Sequence, residues 1–193
     1  GNLLGAEQHG HMESVGYDLY CKMLNEAVKQ EKGELEMEIF GTSVDLNVDA
    51  YIPDSYISNE YQKLDIYKRI AAVENEEEME NMVDELIDRF GDIPKKVMQL
   101  LQIALLKSLA HSAYVTSVEE KGGELKLIMY ERAKVQPQKI PELIAAWRGN
   151  LVFRADNPPC FIYRKRNKSG KEKDEDILEL VKNLLNAIKG LLE

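Results

Sequence analysis

Two histidines near the start of the chain, His9 and His11, have the residue type and spacing of a partial metal site. Imidazole nitrogens ligate zinc, but zinc in proteins usually takes three or four protein ligands. His111 lies about a hundred positions further on. Cys21 and Cys160 are far apart and have no metal-type spacing. The pattern therefore favours two polar loop residues, and we predict no metal site.

The strongest local positive charge is a cluster of cations towards the C-terminus: Arg164, Lys165, Arg166, Lys168, Lys171 and Lys173. Clustered lysines and arginines can bind a nucleic-acid backbone. However, an acidic stretch at residues 174–176 follows at once, and no aromatic residue is interleaved after Tyr163. The pattern favours a solvated loop. Contact with a nucleic acid or another partner through Arg164, Lys165, Arg166 and Lys168 is the alternative.

Motifs for catalysis are missing from the sequence. It contains no GxxxxGK[ST] loop, no GxGxxG turn and no GxSxG elbow, which are the signatures of phosphate cradles and of a serine nucleophile. Four glutamates, Glu76, Glu77, Glu78 and Glu80, lie in the first turns of a predicted helix, where negative charge complements the macrodipole. We therefore expect no catalytic residue and no cofactor in this chain.

Composition indicates an ordinary globular protein. The 193 residues are 44% hydrophobic and 31% charged, with a net charge of −9. This acidic balance argues against a whole surface built to grip nucleic acid. Two distant cysteines suggest free thiols in a reducing compartment. With no secretory signal and no apolar run near the ~18 residues of a membrane span, we predict a cytoplasmic location.

Apolar periodicity gives an order of helices and strands. It predicts a linking helix (15–32), a strand (43–53), helices 59–73, 76–90 and one capped by Asp92 that runs to His111, a Gly122–Gly123 hairpin, a short helix, two more strands and a final helix (174–192). Helices and strands are largely segregated, so the class is α+β. We expect an N-terminal linking helix, then a compact domain with a helical cluster and a small, mostly antiparallel sheet.

The helix over residues 76–90 has the clearest pattern. Its apolar stripe comprises Met79, Met82, Val83, Leu86, Ile87 and Phe90, and Asn75 can cap its start. In the next helix, Pro94 is predicted to lie in the first turn. The methionines on these faces are expected to fill the core, with a Met-rich docking surface as a less favoured alternative.

Three separated stretches resemble one protein family: GNLLGAEQHGHMESVGYDLYCKMLNEAVK (1–29), LDIYKRIA (64–71) and ELIDRFGDIP (85–94). In this order and spacing they resemble the C-terminal part of bacterial transcription-repair coupling factors, closely over residues 1–110 and loosely beyond. The resemblance implies that residues 1–43 are the end of a motor's translocation motif, a hook-like helix and a linker. It implies that residues 44–193 are a C-terminal regulatory domain.

The resemblance also implies a function. Family proteins are ATP-driven DNA translocases that release stalled RNA polymerase and recruit excision repair. ATP and Mg²⁺ bind their motor, which would precede this chain. Gln8, flanked by Gly5 and Gly10, matches a glutamine of the loop that couples ATP hydrolysis to movement. The arginine that partners this glutamine in the family would precede residue 1.

In the family, the regulatory domain packs on an N-terminal module resembling UvrB. It thereby hides the surface that recruits UvrA and restrains the motor. The leading hypothesis is thus a non-catalytic, autoinhibitory interaction domain. An accessory DNA-binding module using residues 164–173 is the alternative, and a small enzyme built on His9 and His11 ranks last. Because reversible docking requires states that differ by only a few kcal/mol, we predict an exposed patch of mixed apolar and charged residues.

Overall fold

The computed structural model describes residues 40–165 and 173–193 and confirms the α+β class. The strands are β1 (Ser43–Asp45), β2 (Val115–Lys121), β3 (Glu124–Met129), β4 (Leu151–Arg154) and β5 (Cys160–Arg164). The helices are α1 (Glu60–Ala71), α2 (Glu76–Phe90), α3 (Lys95–Ser112), α4 (Ile140–Ala146) and α5 (Asp174–Lys189), with a 3-10 turn at Pro137–Lys139. The predicted linking helix lies outside the described residues.

The described residues divide into two compact units. One comprises residues 48–105. The other comprises residues 40–47 and 106–193, without residues 166–172, which lie outside the described ranges. The first is called the helical unit below, and the second, which contains the five strands just given, the sheet unit. Helix α3 contributes residues to both. The predicted domain boundary at residues 43 and 44 stays a prediction.

The helical unit is organised by local capping signals. The side chain of Asn59 accepts a hydrogen bond from the Gln62 N–H at the start of α1, and Asn75 accepts one from the Glu78 N–H at the start of α2. Each cap satisfies a backbone donor that has no partner within its helix. Fully buried aliphatic residues from all three helices form the core: Ile66, Ile70, Leu86, Val97, Leu100 and Leu101.

The start of α3 differs from the prediction by a few residues. The sequence places Pro94 in the first turn with Asp92 as the cap, but the helix begins at Lys95. The Pro94 carbonyl accepts hydrogen bonds from the N–H groups of Val97 and Met98. Pro94 therefore stands just before the helix, since its carbonyl already accepts the first helical hydrogen bonds.

The strand predicted over residues 43–53 pairs with the sheet only at Ser43–Asp45. Beyond Asp45 the inward side chains stay buried at every second position: Leu46, Val48, Ala50 and Ile52. The alternation therefore predicted burial correctly and pairing wrongly. The physical reason is that side chains replace a neighbouring strand as partners. Gln99, for example, donates its Nε2–H to the Asp49 carbonyl at 2.6 Å.

Tyr67 supplies another of these partners. Its hydroxyl oxygen is buried and accepts the Ile52 N–H at 2.9 Å, and burial raises the pKa of Tyr67 to about 12. Replacing Tyr67 with phenylalanine leaves a buried N–H without its acceptor. This should lower the free energy of unfolding by about 1–3 kcal/mol in a urea titration. Tyr61→Phe on the same helix is the matched control, because Tyr61 is 85% exposed. Equal losses in the two variants would contradict this account.

The same residue predicts a dependence on alkaline pH. The folded-state pKa of Tyr67 is raised above its ordinary value of 10, so its stabilising contribution is complete below pH 10. That contribution is lost as the pH rises towards about 12. The wild type should therefore lose stability more steeply than Tyr67→Phe over this range in the same titration. Parallel curves would contradict the assignment.

The sheet is small and mostly antiparallel, as predicted. The order of the described strands is β1-β2-β3-β5-β4, and among them only the β1–β2 pair is parallel. Gly122 and Gly123 join β2 to β3 with φ of 59° and 79°, the left-handed pair that a tight hairpin turn requires. The core of this unit combines one face of the sheet with one stripe of α5: Leu125, Leu127, Met129, Phe161, Ile177, Val181, Leu184 and Ile188. No helix within the described ranges is long and apolar enough to cross a membrane.

Candidate interaction surface

Most of the site residues predicted from the family resemblance and the basic cluster lie outside the described residues. Gly5, Gln8 and Gly10 precede residue 40, and Arg166 and Lys168 fall within residues 166–172, which are not described. Their proposed roles stay predictions.

Arg164 and Lys165 are described, and both are engaged with carboxylates. Arg164 ends β5 and donates its Nε–H to Glu124 at 2.8 Å, although its side chain is 67% exposed. Lys165 forms an ion pair with Glu120 in which the two side chains are only 13% and 6% exposed. Lys165 therefore faces a buried carboxylate on β2, whereas Arg164 stays at the surface.

Glu120 is a structural residue that the sequence reading missed. Besides Lys165, it accepts the N–H of Asn47 at 2.8 Å, so it links the end of β5 to the chain that follows β1. A signal was present in the alternation of β2. Val118 points into the core, and Glu120, two residues later, lies on the same face of the strand. A carboxylate at an inward position requires a cation or a hydrogen-bond donor.

A mixed apolar and charged surface among the described residues runs along α2. Only Met82 and Leu86 of the predicted apolar stripe are buried. Met79, Val83 and Phe90 are half-buried, and Ile87 is 46% exposed. The stripe is thus wider than the part of α2 that the unit covers. Its incompletely buried members, named the α2 ridge below, are Met79, Val83, Ile87 and Phe90. Their spacing of four, four and three places them on one side of the helix.

Carboxylates flank this ridge. Four exposed carboxylates recur at every fourth position of α2 beside the ridge and are named the acidic flank: Glu76, Glu80, Asp84 and Asp88. Residues 48–105 carry thirteen Asp and Glu side chains against six Lys and Arg. With thirteen acidic and six basic side chains, the helical unit has a net charge of −7, and its α2 face combines apolar area with negative charge.

The position of α2 is fixed from both sides. Glu85 accepts hydrogen bonds from Arg69 on α1 and from Arg89 one turn further along α2. These bonds, first from Arg69 and then from Arg89, lower the pKa of Glu85 to about 2. At the C-terminal end, the Tyr56 hydroxyl lies 3.0 Å from the carbonyl of Gly91. The ridge is therefore presented on a helix that is tied to its neighbours.

The Glu85 network predicts a dependence on acidic pH. Because its folded-state pKa is lowered, its stabilising contribution is present above about pH 4.5 and is lost as the pH falls towards about 2. Thermal unfolding at decreasing pH should show a shallower loss for Glu85→Gln than for the wild type. The free energies of unfolding of the two proteins should differ by less than about 1 kcal/mol, because a third of the Glu85 side chain is exposed to solvent. Asp88→Asn is the matched control, and an equal change there would contradict this role.

This arrangement is suited to binding a protein. The half-exposed ridge offers apolar area to bury, and the acidic flank favours a positively charged partner. Within residues 40–165 and 173–193, no group of three or more His, Cys, Asp or Glu side chains could hold a metal ion. Fold and surface together describe an α+β domain with an apolar and acidic surface along α2.

Comparison with known proteins gives the family. The TRCF domain matches residues 46–140. The transcription-repair-coupling factor of Bacillus subtilis is 43% identical over 146 residues, which are 74% of this chain and 12% of that protein. The Staphylococcus aureus protein of the same name is 46% identical over 160 residues, which are 82% of this chain and 13% of that protein.

A solved structure agrees with these relatives. The crystal structure of the C-terminal domain of a transcription-repair coupling factor superposes with a TM-score of 0.63 and 28% identity, covering 79% of this chain and 94% of that one. The chain belongs to the TRCF domain family, as the resemblance predicted. It spans about one eighth of the length of the curated relatives it matches.

Proposed function

We propose that this chain is the non-catalytic, autoinhibitory domain of a transcription-repair coupling factor. It docks on the module of that protein that resembles UvrB and covers the surface that recruits UvrA. The observation that carries the proposal is the α2 ridge with its acidic flank. This is the kind of mixed, exposed patch that reversible docking requires.

The exposure of the ridge suits a contact that opens and closes. Ile87 is accessible while Leu86 beside it is buried, so a partner can cover or leave the ridge without disturbing the core. Interfaces between domains of one chain are commonly of moderate size and partly polar. A ligand shifts the equilibrium between the docked and undocked states only by the difference in its affinity for the two states. If their free energies differ by only a few kcal/mol, a third protein can compete with docking.

The chemistry of the α2 face defines its partner. Negative charge around an apolar ridge calls for a partner surface with exposed apolar side chains and surrounding Lys or Arg. Under this proposal, ATP and Mg²⁺ belong to the parent motor, which acts in the cytoplasm on DNA and on stalled RNA polymerase. Residues 1–43, with Gln8, would be the end of its translocation motif, a hook-like helix and a linker.

A titration tests the proposal. The chain is added to the isolated UvrB-like module in a calorimeter at a low and a high salt concentration. We expect saturable one-to-one binding that weakens at high salt, because the acidic flank attracts cations that salt screens. Absence of binding at either salt concentration would contradict the proposal.

The DNA-binding alternative depends on the loop at 164–173. Lys165 is paired with Glu120 and largely buried, so one cation of the basic cluster is not at the surface. Arg164 forms an ion pair with Glu124. The described contacts therefore give this alternative no added support. Duplex DNA in place of the module, in the same titration, measures it directly.

A further inference from the structure

Four aromatic rings gather where the described chain begins. The Phe40 ring centroid lies 4.4 Å from that of His111, 5.6 Å from that of Tyr114 and 4.7 Å from that of Tyr130. The last three residues come from the end of α3, the turn after it and the position following β3, and are named the Phe40 socket below. Phe40 is thus held by residues that are 71 to 90 positions away in the sequence.

Thr42 adds a hydrogen-bonded contact to the same place. Its buried hydroxyl donates to the Val115 carbonyl at 2.8 Å. Because that bond uses the only hydroxyl hydrogen, Thr42 Oγ1 can only accept from His111 Nδ1, which lies 3.2 Å away. His111 therefore carries a hydrogen on Nδ1. Its ring packs against Phe40, and its Nδ1–H donates to Thr42.

The backbone of the socket is held in an unusual conformation. Tyr114 has a φ of 59°, in the left-handed region that is uncommon for a bulky residue. The Tyr114 carbonyl accepts the Tyr130 N–H at 2.7 Å, and the Tyr114 N–H donates to the His111 carbonyl. Such a conformation persists where the surroundings fix it, and it places the Tyr114 ring beside Phe40.

We propose that Phe40 and its socket form an anchor that fixes where the preceding chain enters the TRCF domain. Three successive contacts hold this entry: the ring of Phe40, the hydroxyl of Thr42, and the pairing of Ser43–Asp45 with Ser117–Glu119 on β2. The inference rests on the proposed function, since the preceding chain would lead to the motor. A fixed entry transmits a movement of that chain to the domain, whereas a loose one absorbs it. Phe40 is thus a positioning residue of the autoinhibited state.

The first test uses this chain and needs no partner. Amide hydrogen exchange is measured for residues 42–45 in the wild type, in Phe40→Ala and in Phe40→Tyr, which keeps a ring. We expect exchange about tenfold faster in Phe40→Ala and close to wild type in Phe40→Tyr, since the anchor sets the local opening equilibrium. Unchanged exchange in Phe40→Ala would overturn the anchor, whatever the outcome for the proposed function.

The second test uses the full parent protein. We expect Phe40→Ala to raise recruitment of UvrA about fivefold or more, and Phe40→Tyr to restore inhibition. The isolated Phe40→Ala chain should bind the UvrB-like module as the wild type does, because α2 is untouched. If that binding is retained and the parent variant stays fully inhibited, the anchor has no positioning role. If the wild-type chain fails to bind the module, the proposed function is wrong. The hydrogen-exchange measurement alone then shows whether Phe40 anchors residues 42–45.

Discussion

Replacing Glu120 with alanine is expected to lower the free energy of unfolding by about 3 kcal/mol. The substitution removes a carboxylate from beside the Lys165 ammonium group at a site that water scarcely reaches. It also removes the acceptor of the Asn47 N–H. The Lys165 ammonium group keeps its desolvation cost and loses its partner, which makes breaking a buried pair expensive, whereas the exposed Asn47 N–H can bond to water instead.

A neighbouring ion pair offers the matched control. Glu124→Ala removes the partner of Arg164 from a pair that is 67% and 43% exposed, and should cost less than about 1 kcal/mol. A second variant, Glu120→Leu with Lys165→Met, removes both buried charges together and should recover part of the loss. Urea unfolding followed by circular dichroism measures all three. Equal losses for Glu120→Ala and Glu124→Ala would contradict the role of Glu120 as a buried link.

Replacing Ile87 with aspartate should weaken docking on the UvrB-like module about a hundredfold, or by about 2.7 kcal/mol. The substitution places a charge in the centre of the α2 ridge, where docking would have to desolvate it. Because Ile87 is already 46% exposed, stability of the free chain should change by no more than about 0.5 kcal/mol. Calorimetric titration and urea unfolding of the same variant separate the two effects.

Val152 supplies the control for this experiment. It is an aliphatic residue of similar exposure, 42%, on β4 of the sheet unit. Val152→Asp adds the same charge and should leave the affinity for the module unchanged. Reversing the acidic flank with Asp84→Lys and Asp88→Lys should weaken docking and abolish its salt dependence. An equal loss of affinity in Val152→Asp and Ile87→Asp would move the interface away from α2.

Elements with local signals could be predicted from the sequence. The bounds of α2 and its Asn75 cap follow from a capping residue, an apolar period and a terminal glycine, all within one short stretch. The hairpin at Gly122 and Gly123 likewise follows from its own residues. Such features depend on neighbours along the chain, which a single sequence displays.

Features set by distant residues could not be predicted in the same way. Residues 46–52 alternate like a strand, yet they hydrogen-bond to side chains, and the sequence does not show where those side chains lie. Lys165 belongs to a basic cluster in the sequence, but the register of the sheet brings it to Glu120, 45 residues away. The exposure of Ile87 depends on how much of α2 its neighbours cover. The sequence pattern shows how wide the apolar stripe is, but it does not show how much of the stripe the neighbouring elements bury.

Competition for the UvrB-like module tests the central claim most directly. The module is bound to immobilised UvrA, and this chain is added in increasing excess. We expect the chain to displace the module from UvrA, and Ile87→Asp to fail at the same concentrations, since the α2 ridge would carry the contact. A stable complex containing UvrA, the module and the wild-type chain together would show that the domain does not cover the recruiting surface. That result would contradict the proposed autoinhibition.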